Sequence, residues 1–113
     1  MKTAITKITL KEFEELKAKM DAGDKLNLLD VREDIERVEF HIGGEHFRLR
    51  RIQDMAIEDI EHLKDEEVIC YCRSGQRSAM ACLMLEHLGF KNTLNVVGGM
   101  LEWKEKFGDA PVV

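Results

Sequence analysis

At residues 72–77 the chain reads CRSGQR, which sets a thiol, two guanidinium groups and a glycine within six positions. The residues before it, EEVICYC (66–72), have the apolar run of a buried strand, and residues 78–88 have helical periodicity. If Cys72 ends the strand and Ser78 begins the helix, residues 73–77 must curl tightly, with Gly75 free to adopt positive φ. A tight loop feeding a helix N-terminus aims several backbone N–H groups into one concavity, and the helix dipole adds partial positive charge. Arg73 and Arg77 place two full positive charges at its rim. Such a pocket binds anions and favours thiolate over thiol at Cys72. The implied chemistry is a sulfur nucleophile meeting an anionic electrophile, with no general base required. The plainer reading takes Cys72 as a small buried hydrophobe and SGQ as an ordinary turn. Two neighbouring arginines and the adjoining helix start shift the balance toward the first.

The surrounding elements must deliver that loop. AITKIT (4–9) is a candidate first strand. Thr9 and Glu12 have the spacing of a capping box for a helix whose stripe is Leu10, Phe13, Leu16 and Met20, with Gly23 placed to end it. KLNLLDV (25–31) reads as a strand and EDIERVEF (33–40) as a short helical turn. In HIGGEHFRLRRI (41–52), Phe47, Leu49 and Ile52 suggest a short strand; Asp54 could cap a helix bearing Ile57, Ile60 and Leu63. The helix over 78–88 aligns Ala81, Met84, Leu85 and Leu88 and stops at Gly89. TLNVV (93–97) is a last strand, followed by Gly98, Gly99 and a helix bearing Met100, Trp103 and Phe107. Strands alternating with helices imply an α/β fold with a mainly parallel central sheet and helices on both faces. Sites in such sheets lie beyond the carboxyl ends of the strands. That rule selects Asp30–Glu33, Cys72–Arg77 and Val97–Met100.

The bulk composition limits the alternatives. A chain of 113 residues, 44% hydrophobic and 35% charged, has the size of one soluble globular domain, taken here as residues 1–113. A formal charge of −5 argues against nucleic acid as a partner. The first twenty residues carry Lys2, Lys7, Lys11, Glu12, Glu14 and Glu15 and no apolar signal segment, and the longest apolar run, Ala79 to Leu85, is too short for a membrane span. Three cysteines, 70, 72 and 82, in a chain without a visible signal suggest free thiols in a reducing, cytoplasmic compartment. Cys70 and Cys72 lack C-x-x-C spacing, and His41, His46, His62 and His87 do not cluster with the thiols, so no metal is expected.

LLDVRE (28–33), CRSGQRS (72–78) and VVGGMLEW (96–103), in that order and spacing, resemble the single-domain rhodanese family over nearly the whole chain. The resemblance implies a sulfurtransferase. Cys72 would attack a small anionic sulfane donor such as thiosulfate, hold the sulfur as a persulfide and pass it to a thiophilic acceptor, without metal or organic cofactor. Arg73, Ser74, Gly75, Gln76 and Arg77 would form the substrate-binding cradle. A sulfur-carrier or sensor module, exchanging sulfur with a protein donor or acceptor, is a second reading. Phosphate or arsenate chemistry is a third, but the related phosphatases place five residues between Cys and Arg where this chain has four. Many family members read Gly-His-Ile-Pro-Gly-Ala where this chain has Phe40-His41-Ile42-Gly43-Gly44-Glu45, a departure that bears on substrate choice.

Around this centre, Asp30 and Arg32 can support the site, chiefly as a structural ion pair. Gly98 and Gly99 would let the last helix start close to the catalytic loop. Arg48, Arg50 and Arg51 could steer anions or form a charged edge strand. His41 reads as a hydrogen-bonded structural residue, Cys70 and Cys82 as inert core, and Met80, Met84 and Met100 as helical packing.

Overall fold

The structure is a computed structural model that describes residues 6–8 and 12–108. Five strands form one sheet in the order β1-β5-β4-β2-β3, where β1 is Thr6–Ile8, β2 Leu28–Asp30, β3 Glu45–His46, β4 Glu67–Tyr71 and β5 Asn92–Val96. All four pairings are parallel. The helices are α1 (Phe13–Asp21), α2 (Asp34–Glu39), α3 (Leu49–Gln53), α4 (Gln76–His87) and α5 (Gly99–Phe107), with a 3-10 helix at Glu58–Leu63. This is the α/β sheet flanked by helices on both faces that the sequence implies. No described helix is long and apolar enough to cross a membrane.

Strand β4 shows how the two cores arise. Successive side chains alternate across a strand, so Val68, Cys70 and Cys72 face one cluster with Ile52, Ile60, Ala81, Cys82 and Leu85. Ile69 and Tyr71 face the other, with Phe13, Leu16, Phe40, Val96, Met100 and Trp103. Both faces are dry, which is why VICYC lacks the polar alternation of a half-exposed strand. Adjacent strands β2 and β4, registered with Asp30 beside Tyr71, send the chain opposite ways. After β4 it enters α4 on the first face; after β2 it passes through α2 to Phe40 and Ile42 on the second. The crevice opens where they part.

Several local expectations are corrected. Strand β3 covers Glu45–His46, and Leu49 and Ile52 lie in the helix α3 instead of a strand. Their spacing of three is a helical turn that buries Ile52. Asp54 closes α3 rather than opening the next helix, which is a 3-10 helix starting after Ile57. Arg50 and Arg51 therefore pair with Asp54 and Asp59 on helical surfaces, not along an edge strand. Helix α4 begins at Gln76, two residues early, so the loop is shorter than expected. Met80 is 49% exposed and packs no core. Thr9 and Leu10 lie outside the described residues.

Candidate active site

Cys72 follows directly on β4 and is wholly buried. Three donors converge on its sulfur: the Gly75 N–H at 3.1 Å, the Ser78 N–H at 3.4 Å and the Ser78 hydroxyl at 3.3 Å. Gly75 makes the curl possible. Its φ of +97° is left-handed, and a Cβ there would stand 3.0 Å from the Gly98 nitrogen. A side chain there would be strained by the conformation and crowded by the neighbouring backbone. Ser78 lies in the first turn of α4, so one of the helix's free N–H groups is spent on sulfur. The Ser78 hydroxyl also donates to Asn95 Oδ1 on β5, and Asn95 Nδ2 donates to the Gly75 carbonyl at 3.2 Å. One hydroxyl proton thus stands between a carboxamide oxygen and the sulfur.

Helix α5 closes the far side. The Met100 and Leu101 N–H groups donate to the carbonyls of Cys72 and Arg73 at 2.9 and 3.0 Å. That approach needs a glycine at 99, where an added Cβ would stand 2.5 Å from both carbonyl oxygens. Gly98 and Gly99 therefore sit where the sequence expectation put them, against the loop.

The two loop arginines differ. Arg73, Ser74 and Gln76 are exposed at the surface. Arg77 instead reaches α2, where both its terminal nitrogens donate to the carboxylate oxygens of Glu36 at 2.7 Å. That hydrogen-bonded guanidinium holds the Glu36 carboxyl down at about 2, and Glu36 in turn pushes Arg77 up. Of the two charges expected at the rim, one is already paired. Glu36 was not visible as a site residue, because its partner lies 41 positions away and no local spacing links them. Asn95 had a signal: it is a carboxamide side chain in the middle of the strand-like TLNVV.

Asp30 and Arg32 are both buried and paired with each other. Arg32 Nε and a terminal nitrogen donate to the two Asp30 oxygens at 2.8 and 3.0 Å, and Arg32 also donates to the Phe40 carbonyl. Burial opposes the Arg32 charge, but the Asp30 carboxylate outweighs it and the pKa rises. The altered 41–44 segment is tied down from below. Tyr71 donates to the Gly43 carbonyl at 2.8 Å, and the Gly43 N–H donates to His41 Nδ1 at 2.9 Å. Cys70 and Cys82 are buried free thiols, and a mutual hydrogen bond and burial push Cys70 well up. Beside the loop, Arg73, Glu36, Glu39, Phe40, Leu101 and Lys104 help line a cleft of about 90 Å³. No described cluster of His, Cys, Asp and Glu is arranged to hold a metal.

With this geometry in view, the family profile for the Rhodanese-like domain matches residues 12–106. A Bacillus subtilis protein named "Putative sulfurtransferase YtwF" is 43% identical over 90 residues, covering 79% of this chain and 84% of that one. Another from that organism, "Putative sulfur carrier protein YrkF", is 39% identical over 105 residues, which is 92% of this chain. The chain spans 54% of the length of YrkF. Among solved structures, a rhodanese-like domain protein from Staphylococcus aureus superposes with a TM-score of 0.73 at 30% identity, covering 88% of this chain and 91% of the other.

Proposed function

The chain belongs to the rhodanese-like domain family, and on that premise we propose that it is a sulfurtransferase working through a persulfide on Cys72. The observation that carries this reading is the convergence of two N–H groups and one hydroxyl on a single sulfur. Donors held in place before reaction stabilise negative charge at little reorganisation cost. They suit a thiolate before transfer and a persulfide anion after it. Cys72 attacks the outer sulfur of thiosulfate or a similar sulfane donor. The new S–S bond forms as the old one breaks, and sulfite leaves with the bonding pair. A thiophilic acceptor then removes the outer sulfur in a second half-reaction, giving ping-pong kinetics. Arg73 supplies charge at the mouth. Cys70 and Cys82 take no part, and the reading calls on no metal or organic cofactor and places the chain in a reducing, cytoplasmic setting.

Intact-protein mass spectrometry after incubation with thiosulfate tests it. The wild type should gain one sulfur atom that cyanide or a reductant removes, and Cys72→Ser should gain none. A folded wild type with reduced Cys72 that gains nothing from thiosulfate would overturn thiosulfate as donor.

A second reading, exchange of sulfur with a protein partner, is favoured by one observation. Ile35 and Val38, on either side of Glu36 on α2, are 68% and 86% exposed, and Leu101 beside the loop is 47% exposed. Exposed apolar side chains on the helices that border a site suit a macromolecular partner better than a small anion. The name of YrkF is consistent with that role. Slow loading from thiosulfate with rapid loading from a protein persulfide would select it.

A further inference from the structure

We propose that Glu36 is a specificity-determining residue: by binding Arg77 it withdraws one positive charge from the cradle, so the site favours a singly charged alkyl persulfide donor over dianionic thiosulfate. The inference rests on the sulfurtransferase reading above and narrows its donor class.

Arg77 directly precedes the residue whose N–H and hydroxyl reach the Cys72 sulfur. Its fork is filled by the two Glu36 oxygens, each at 2.7 Å. A bidentate pair of this kind uses the geometry that would otherwise clasp an oxyanion. Arg32 is likewise committed, to Asp30 and the Phe40 carbonyl. Two cations remain to receive a donor from the cleft. One is Arg73, exposed and without an ion pair among the described residues, and the other is Lys104, which lies over the Phe40 ring at 5.1 Å. Glu39 lines the same cleft and adds a further negative charge.

The charge on the donor then decides. In both reactions Sγ bonds to the outer sulfur as the inner S–S bond breaks, and the leaving group takes the pair. Thiosulfate releases sulfite; an alkyl persulfide RSS⁻ releases RS⁻. Neither needs an oxidant. Thiosulfate brings two negative charges to the thiolate and RSS⁻ brings one. Any loss of local positive charge therefore weighs about twice as heavily on thiosulfate. Leu101, which lines the same cleft and is half exposed, also offers apolar contact to an organic R group and none to a sulfonate.

The experiment compares the full chain with Glu36→Gln and Glu36→Asp. Each is loaded from sodium thiosulfate and, separately, from the persulfide of 2-mercaptoethanol, and the second-order rate of sulfur gain on Cys72 is followed by mass. Glu36→Gln should raise the thiosulfate-to-persulfide rate ratio roughly 3- to 10-fold. The change should lie mainly in the thiosulfate rate and shrink in high salt. Glu36→Asp, which keeps the charge, should stay within about twofold of the wild-type ratio. An unchanged or lowered ratio in Glu36→Gln, or an equal shift in Glu36→Asp, overturns the proposal even if overall rates fall through a damaged loop. If the wild type takes sulfur from neither donor, the sulfurtransferase reading itself falls.

Discussion

Ser78 gives the site its sharpest residue-scale dependence. Its hydroxyl has one proton and two acceptors in reach, the Asn95 oxygen and the Cys72 sulfur. A charged sulfur competes better for that proton than a neutral one, because hydrogen bonds to ions are roughly twice as strong. In the proposed reaction the serine would therefore support an anionic sulfur at Cys72. Ser78→Ala removes the donor and leaves the Asn95 oxygen buried without that partner. Urea denaturation should show a loss of about 1–3 kcal/mol, and sulfur loading of Cys72 should slow by roughly 10-fold. Loading at the wild-type rate in a folded variant would mean that the two N–H groups suffice. Cys70, equally buried two residues earlier, faces Cys82 instead of backbone donors, and that hydrogen bond and burial push it toward the neutral thiol.

Among the elements, the start of α5 matters to the site as much as the loop does. Two of its N–H groups are satisfied by the carbonyls of Cys72 and Arg73, so the helix terminus and the loop are each other's caps. Gly99→Ala would press a methyl group into both carbonyls at a φ of +57°. We expect a loss of about 2–4 kcal/mol in chemical denaturation, together with a collapse of sulfur loading. A variant as stable and active as the wild type would show that α5 can move off without consequence. The glycine pair, the strand β4 and the helix α4 were legible in the sequence because local chemistry dictates them: apolar runs, a helical stripe and residues without side chains. The tract 45–53 was not. Its Phe47, Leu49 and Ile52 fit two periodicities at once, and only packing against β2 and α4 decides between them. Asp30 and Arg32 were legible as a pair because they are two residues apart on one strand end. Glu36 and Arg77 were not, since only the tertiary fold brings α2 beside α4.

At the scale of the whole molecule, that same pair ties together the two segments that diverge from neighbouring strands at the sheet's carboxyl edge. Arg77 belongs to α4, which covers one face, and Glu36 to α2, which buries no side chain of its own and is held besides by Arg37, whose guanidinium donates to Asp30 and to the Gly44 carbonyl. The tie should therefore be visible in the acid stability of the fold. Glu36 titrates near 2 in the folded chain against an ordinary 4.5. A carboxylate held below its unfolded value contributes stability that is complete above about pH 4.5 and is lost as pH falls toward 2. The full shift corresponds to about 3 kcal/mol, and partial exposure of both side chains reduces this to about 1–2 kcal/mol. Urea unfolding of the wild type and Glu36→Gln at neutral pH should differ by that amount. The gap should close between pH 4.5 and pH 2, because protonated Glu36 resembles the glutamine. A gap that persists unchanged at pH 2 would mean that the pair's worth lies in packing rather than charge. A gap that is absent at pH 7 would mean that α2 stays in place without it, and the charge on Glu36 would then have its effect on the donor alone.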